Sequence, residues 1–203
     1  MSYLANILTE KLLKYSLIDS DIKENYEYAI QVHLEQIIGF SILLSISILC
    51  GFLGETIIFI IFFSYMRRYS GGFHVRSFYG CVFCSVITYI VYVKCLYLFL
   101  LRNMKMNMII VAISVFIILL VGAVNHPKMH WSIPEYNISK NCARVVAMIE
   151  ARCIVLLYVL RVSYSYILFM SFGLTLSAIM LLLAKILRQE QSGDMSSAFL
   201  NNF

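Results

Sequence analysis

A chain of 203 residues with 61% hydrophobic and only 13% charged side chains, and a mean hydropathy of +0.84, is no ordinary soluble domain. Charged residues run to about a quarter in such domains. The composition predicts an all-α polytopic membrane helix bundle, and the formal net charge of +5 fits orientation across a bilayer better than nucleic-acid binding. Two prolines, nine glycines and no evident repeat argue for one domain over residues 1–203.

Residues 1–25 read as an interfacial N-terminal segment. Leu4, Ile7, Leu8, Leu12 and Tyr15 recur at helical spacing, while Glu10, Lys11 and Lys14 occupy other faces. The same pattern fits a helix packed on the bundle equally well. No early apolar core followed by a small-residue cleavage site marks a signal peptide, so the N-terminus is expected to be kept. Spans follow at about 29–52, 55–66, 77–101, 108–124, 142–160 and 164–186. The second is short, and Arg144, Glu150 and Arg152 interrupt the fifth; six spans are the first reading and five the second.

Lysine and arginine test the topology. With the N-terminus inside, twelve (Lys11, Lys14, Lys23, Arg67, Arg68, Arg76, Lys128, Lys140, Arg144, Arg152, Lys185 and Arg188) fall inside, against three outside (Arg102, Lys105 and Arg161). The positive-inside rule then puts both termini and the stretch 67–81 at the cytoplasmic face. A reducing compartment in turn predicts six free cysteines.

The stretch from Arg67 to Cys81 interrupts the apolar sequence with three arginines, three glycines, a histidine and a cysteine. A cysteine nucleophile needs a base within hydrogen-bond reach. On one unbroken helix His74 and Cys81 would share a face yet stand about 10 Å apart. The chain must therefore bend; Gly71-Gly72 permits it, and Ser77 suits an N-cap for a helix through Phe78 and Tyr79. Cys81 would then lie near a helix N-terminus, where free amides and the dipole favour a thiolate and can hold an oxyanion.

Arg67, Gly71-Gly72, His74 and Cys81, at this spacing, resemble the core of the accessory gene regulator B (AgrB) family of membrane cysteine peptidases. The resemblance extends more loosely to length, helix count and the acidic segment Lys23-Glu24-Asn25-Tyr26-Glu27-Tyr28. It implies a multi-pass protein of the bacterial cell membrane and an AgrD-like propeptide substrate with an amphipathic leader and an acidic tail. Cys81 would attack the carbonyl joining core to tail, with His74 as base. The resulting thioester would be released by an internal cysteine or serine, giving a thiolactone or lactone, or by water. Arg67, Arg68 and Arg76 are candidates for pairing with the acidic tail, Arg67 first. The resemblance also suggests a homodimer and implies no cofactor.

Other readings compete. The three arginines also suit positive-inside anchors, and Cys81 a small buried residue. A non-catalytic scaffold or transporter component is the alternative function, although no second copy of the Gly-Gly break supports a transporter. Cys81-Val82-Phe83-Cys84 is a weak redox or zinc signal, because no βαβ pattern and no second ligand pair accompany it. His126 and His130, with Trp131, suit an interfacial connector over 125–140. Cys81, Cys84 or Ser85, Thr88, Tyr92 and Cys95 predict a helix-packing face. Glu35 is expected to face the bundle interior, near His33. Ser70, Glu135 and Glu150 are the candidates for a group orienting His74.

Overall fold

The computed structural model describes residues 2–15, 17–18, 23–72, 78–124 and 133–187. Seven helices run through them: α1 Ser2–Lys14, α2 Lys23–Cys50, α3 Leu53–Ser70, α4 Phe78–Arg102, α5 Met104–Val121, α6 Ile133–Val159 and α7 Tyr164–Ile186. The protein is therefore an all-α polytopic bundle. Ala29–Cys50 of α2, together with α4, α5 and α7, is long and apolar enough to cross a membrane. The other two long helices carry charges: Glu55, Arg67 and Arg68 in α3, and Glu135, Lys140, Arg144, Glu150 and Arg152 in α6. Backbone geometry trims the expected ends. The run expected over 108–124 begins at Met104 and stops at Val121, where Gly122 takes a φ of +78°.

The most deeply buried span is α7, with 67% of its apolar window inside the bundle against 11% for α2. Small residues admit the neighbours. A Cβ on Gly173 would stand 3.1 Å from Phe59 O and from Phe62 Cβ, so the α3 and α7 backbones pack closely. Phe172 stacks on Phe59 at 4.7 Å and on Tyr92 at 3.8 Å, while Phe169 meets the rings of Phe52, Tyr89, Tyr92 and Tyr97. Buried hydroxyls on these rings find acceptors, as an apolar setting demands. The Tyr92 hydroxyl donates to Leu168 O at 2.8 Å, and Tyr97 donates to Ser165 Oγ at 3.2 Å.

A π-helical turn at Tyr92–Leu96 adds one residue to α4 and rotates its packed face. Tyr89, Tyr92, Val93, Tyr97 and Leu100 are buried, whereas Cys81, Cys84 and Cys95 are exposed. Of the packing face expected at Cys81, Cys84 or Ser85, Thr88, Tyr92 and Cys95, Tyr92 is therefore buried and Ser85 and Thr88 are half-buried, while the three cysteines are corrected to exposed positions. The contact is made by aromatic residues, and the inserted residue puts Tyr97 rather than Leu96 against α7.

Helix directions follow from pairs of contacts. Gly54 lies beside Tyr166 and Gly72 beside Met180, so α3 and α7 run parallel. Asn107 donates to Ser171 Oγ and Ser114 to Thr175 Oγ1, so α5 runs with them. Arg144 Nε donates to Leu119 O at 2.9 Å, which sets the early part of α6 beside the end of α5. The ends of α3 and α5 thus gather at one end of the bundle. At the chain start, α1 packs on α2 through buried Ala5 and Thr9, with Lys23 paired to Glu10, and turns Tyr3, Leu4, Leu8 and Tyr15 outward.

Candidate active site

The candidate stretch begins where α3 ends. The Gly71 N–H donates to Arg67 O at 3.1 Å, closing the last turn, and Gly71 and Gly72 then take φ of +64° and +126°. Only glycine occupies such backbone readily. Space gives a second reason for each. A Cβ on Gly71 would lie 2.7 Å from Val124 O, and one on Gly72 would lie 2.7 Å from Arg67 Nη1. The bend expected from the glycine pair is therefore present, and it also leaves room for a guanidinium.

The turn is pinned to the chain beyond α5. Val124 N–H donates to Ser70 O at 3.0 Å, the buried Ser70 hydroxyl donates to Gly71 O, and Tyr136 of α6 donates to Ala123 O. Val124, expected to end a span before a loop, is thus a backbone partner of the candidate stretch. Hydrophobic patterning carries no trace of that contact.

Cys81 is the fourth residue of α4, as a helix starting after Ser77 requires. Its own carbonyl accepts a hydrogen bond from Ser85 Oγ at 2.9 Å, and its side chain is exposed. Arg67 from α3, Glu35 from α2 and the adjacent Cys84 lie close enough to act electrostatically on its thiol. Arg67 has its Nη1 buried and its guanidinium carbon 6.0 Å from the centre of the Phe63 ring. Arg68, in contrast, is exposed beside the Tyr69 ring.

Three helices therefore bring Arg67, Gly72, Cys81 and Glu35 to one end of the bundle. His74, Arg76 and Ser77 lie outside the described residues, as do His126, His130 and Trp131. The three expected partners of the histidine fall in different places. Ser70 is engaged with Gly71 O, Glu135 is exposed at the start of α6, and Glu150 is buried within the bundle. Glu150 stands six residues past Arg144, about 9 Å farther from the Cys81 end. Neither of its carboxylate oxygens has a hydrogen-bond partner among the described residues.

Glu35 is half-buried and accepts a hydrogen bond from Gln31 Nε2 at 2.9 Å. The sequence reading placed it toward the interior but not beside Cys81. Its signal was present in part, as a carboxylate one turn after a glutamine at the start of a span. Among the described residues no group of three or more histidine, cysteine or acidic side chains is arranged to hold a metal.

The family model described as accessory gene regulator B matches residues 4–183 and so takes in this whole site. No curated protein and no solved structure matches the chain.

Proposed function

This chain belongs to the accessory gene regulator B family, whose members process the precursors of autoinducing peptides, and we propose that it does so as a membrane-embedded cysteine endopeptidase using Cys81 and His74. The single observation that supports these residues is the family match over a stretch in which Cys81 lies in the first turn of a helix and Arg67 of α3 acts on its thiol.

In this reading His74 takes the Cys81 proton and the thiolate attacks the carbonyl that joins peptide core to acidic tail. Amides of the first turn of α4 and the Arg67 guanidinium face the developing oxyanion. The C–N bond breaks, the imidazolium protonates the leaving amine, and the core remains as a thioester on Cys81. A cysteine or serine of the peptide then displaces Cys81 and closes a thiolactone or lactone; attack by water gives the linear acid. A site with little water and a tethered nucleophile favours the ring.

Arg67 first, or Arg68 or Arg76, pairs with carboxylates of the tail, and Gly71 and Gly72 shape the turn that follows α3. In the same proposal residues 1–203 form one domain and α3 and α6 cross the bilayer with the four apolar spans. The Cys81 end and both termini then face the cytoplasm, α1 lies in the interface, and two copies form a homodimer.

The test is mass spectrometry of an AgrD-like propeptide incubated with purified protein in bilayers, comparing wild type with Cys81→Ala and His74→Ala. The expected result is loss of the tail with a product lighter than the linear core by one water, absent with either variant. Cleavage by Cys81→Ala at the wild-type rate would overturn the assignment.

A further inference from the structure

On α6 the long side chains of Arg144, Met148 and Arg152 recur every four positions, a spacing that sets them along one side of the helix. With Val145 and Ile149 beside them and Leu119 of α5 opposite, they line an open groove of about 290 Å³. Val145, Met148 and Ile149 are exposed, as a face turned to lipid requires, while Ala143, Val146, Ala147, Glu150 and Ile154 face inward. The groove shares no residue with the candidate active site.

Two guanidiniums on an apolar floor call for an anion. Arg144 donates Nε to Leu119 O at 2.9 Å, and Arg152 is exposed. Among the described residues neither meets a carboxylate; the ion pair there is Lys23 with Glu10. Glu150 is buried with both oxygens unbonded, so it answers neither charge. Leu119 lies two residues from the end of α5, which sets Arg144 near that surface of the bundle. Arg152 is eight residues on, about 12 Å along the axis, and with α6 across the bilayer it stands inside the hydrocarbon. An arginine at such depth takes a partner or draws a polar group down to it.

We propose that this groove binds an anionic phospholipid, its headgroup held between Arg144 and Arg152 and its acyl chains lying on Val145, Met148 and Ile149. Helical side chains lean toward the N-terminus, so Arg152 reaches back toward Arg144 across Met148. Guanidinium matches phosphate with paired N–H donors, most strongly away from water. The size suits a headgroup, since ligand clefts begin at roughly 300 Å³ and a peptide helix needs far more. A dissolved acidic peptide would have to leave water to reach Arg152, whereas a lipid is already at that depth. A lipid bound here braces α6 against the end of α5. Just beyond that end, Ala123 and Val124 hold Tyr136 and Ser70.

The test uses the full chain. Its unfolding midpoint in neutral detergent is followed with added phosphatidylglycerol, phosphatidylcholine, inorganic phosphate or a glutamate-rich peptide. Native mass spectrometry counts the lipid retained after purification from bilayers of equimolar phosphatidylglycerol and phosphatidylcholine. Wild type is expected to keep a phosphatidylglycerol and to be stabilised by it above the other probes. Arg152→Gln removes no bond among the described residues and should stay folded, binding that lipid about tenfold more weakly. Arg152→Lys falls between the two. Arg102→Gln, at an exposed basic position outside the groove, should bind as wild type does.

Unchanged retention in Arg152→Gln, or an equal loss in Arg102→Gln, would overturn the proposal, because the lipid would then answer net charge and not the groove. Equal stabilisation by inorganic phosphate would give the arginines to a free anion, and stabilisation by the peptide alone would give them to a protein partner. The placement of α6 is tested apart. In bilayers Ile149→Cys should resist a membrane-impermeant maleimide, and labelling there would take the groove out of the bilayer and the proposal with it.

Discussion

Around Phe169, the polar atoms of α4 and α7 meet acceptors and hydroxyls at 2.8–3.2 Å, within a cluster of stacked and edge-on rings. At the turn ending α3 the construction is different: two consecutive glycines have positive φ, a guanidinium nitrogen is buried, and the Cys81 thiol is near enough to act on it. The first region lowers free energy by filling space and satisfying donors. The second keeps charge and a backbone course open only to glycine, both of which the first would exclude, and perturbed charged groups gather where chemistry is done. The contrast indicates that α7 supports a site it does not itself furnish with reactive groups.

Three substitutions press on this contrast. The largest effect is expected at the aromatic cluster, where Phe169→Ala removes a fully buried ring and should cost about 3–5 kcal/mol of stability. Thermal unfolding in detergent reads that loss. Cleavage per folded molecule should stay near wild type, and a specific loss of kcat at a temperature where the variant is folded would break the contrast.

At the turn, Gly72→Ala puts a methyl against Arg67 Nη1 and forces alanine to a φ of +126°. About 1–3 kcal/mol of strain is expected. Cleavage should fall about 10- to 100-fold, beyond what the population of folded protein explains, because the guanidinium must move. Steady-state kinetics with helicity checked by circular dichroism would show it, and wild-type kinetics in a folded Gly72→Ala would remove the link between glycine and arginine. The smallest effect belongs to Tyr92→Phe, which deletes one buried hydroxyl and leaves Leu168 O without that donor. A loss of about 0.5–1.5 kcal/mol in unfolding free energy is expected, with kcat and KM unchanged.

Patterning is legible where one side chain answers one solvent. The span expected over 164–186 coincides with α7 because a continuous apolar run has a single low-energy state in a bilayer, a helix with its backbone satisfied internally. Helices α3 and α6 were harder to bound. Their charges break the apolar signal, and Glu150 is tolerated in a run that hydropathy alone would reject. The polar stripe of α4 misled because its buried face is held by the large rings of Tyr89, Tyr92 and Tyr97, which fill space that small cysteines do not, and only beyond Tyr92 does the π-turn at Tyr92–Leu96 shift the face.

By itself the sequence determined a helical membrane protein, its family, the glycine bend and the candidate nucleophile, since each rests on composition or on residues close together in the chain. Tertiary structure decided what surrounds Cys81. Arg67 and Glu35 stand 14 and 46 positions away in sequence, on helices whose rotation and register depend on packing throughout the bundle. Hydrophobic period places a residue on a face, but the neighbour it meets there is set by how the other helices fill the remaining space.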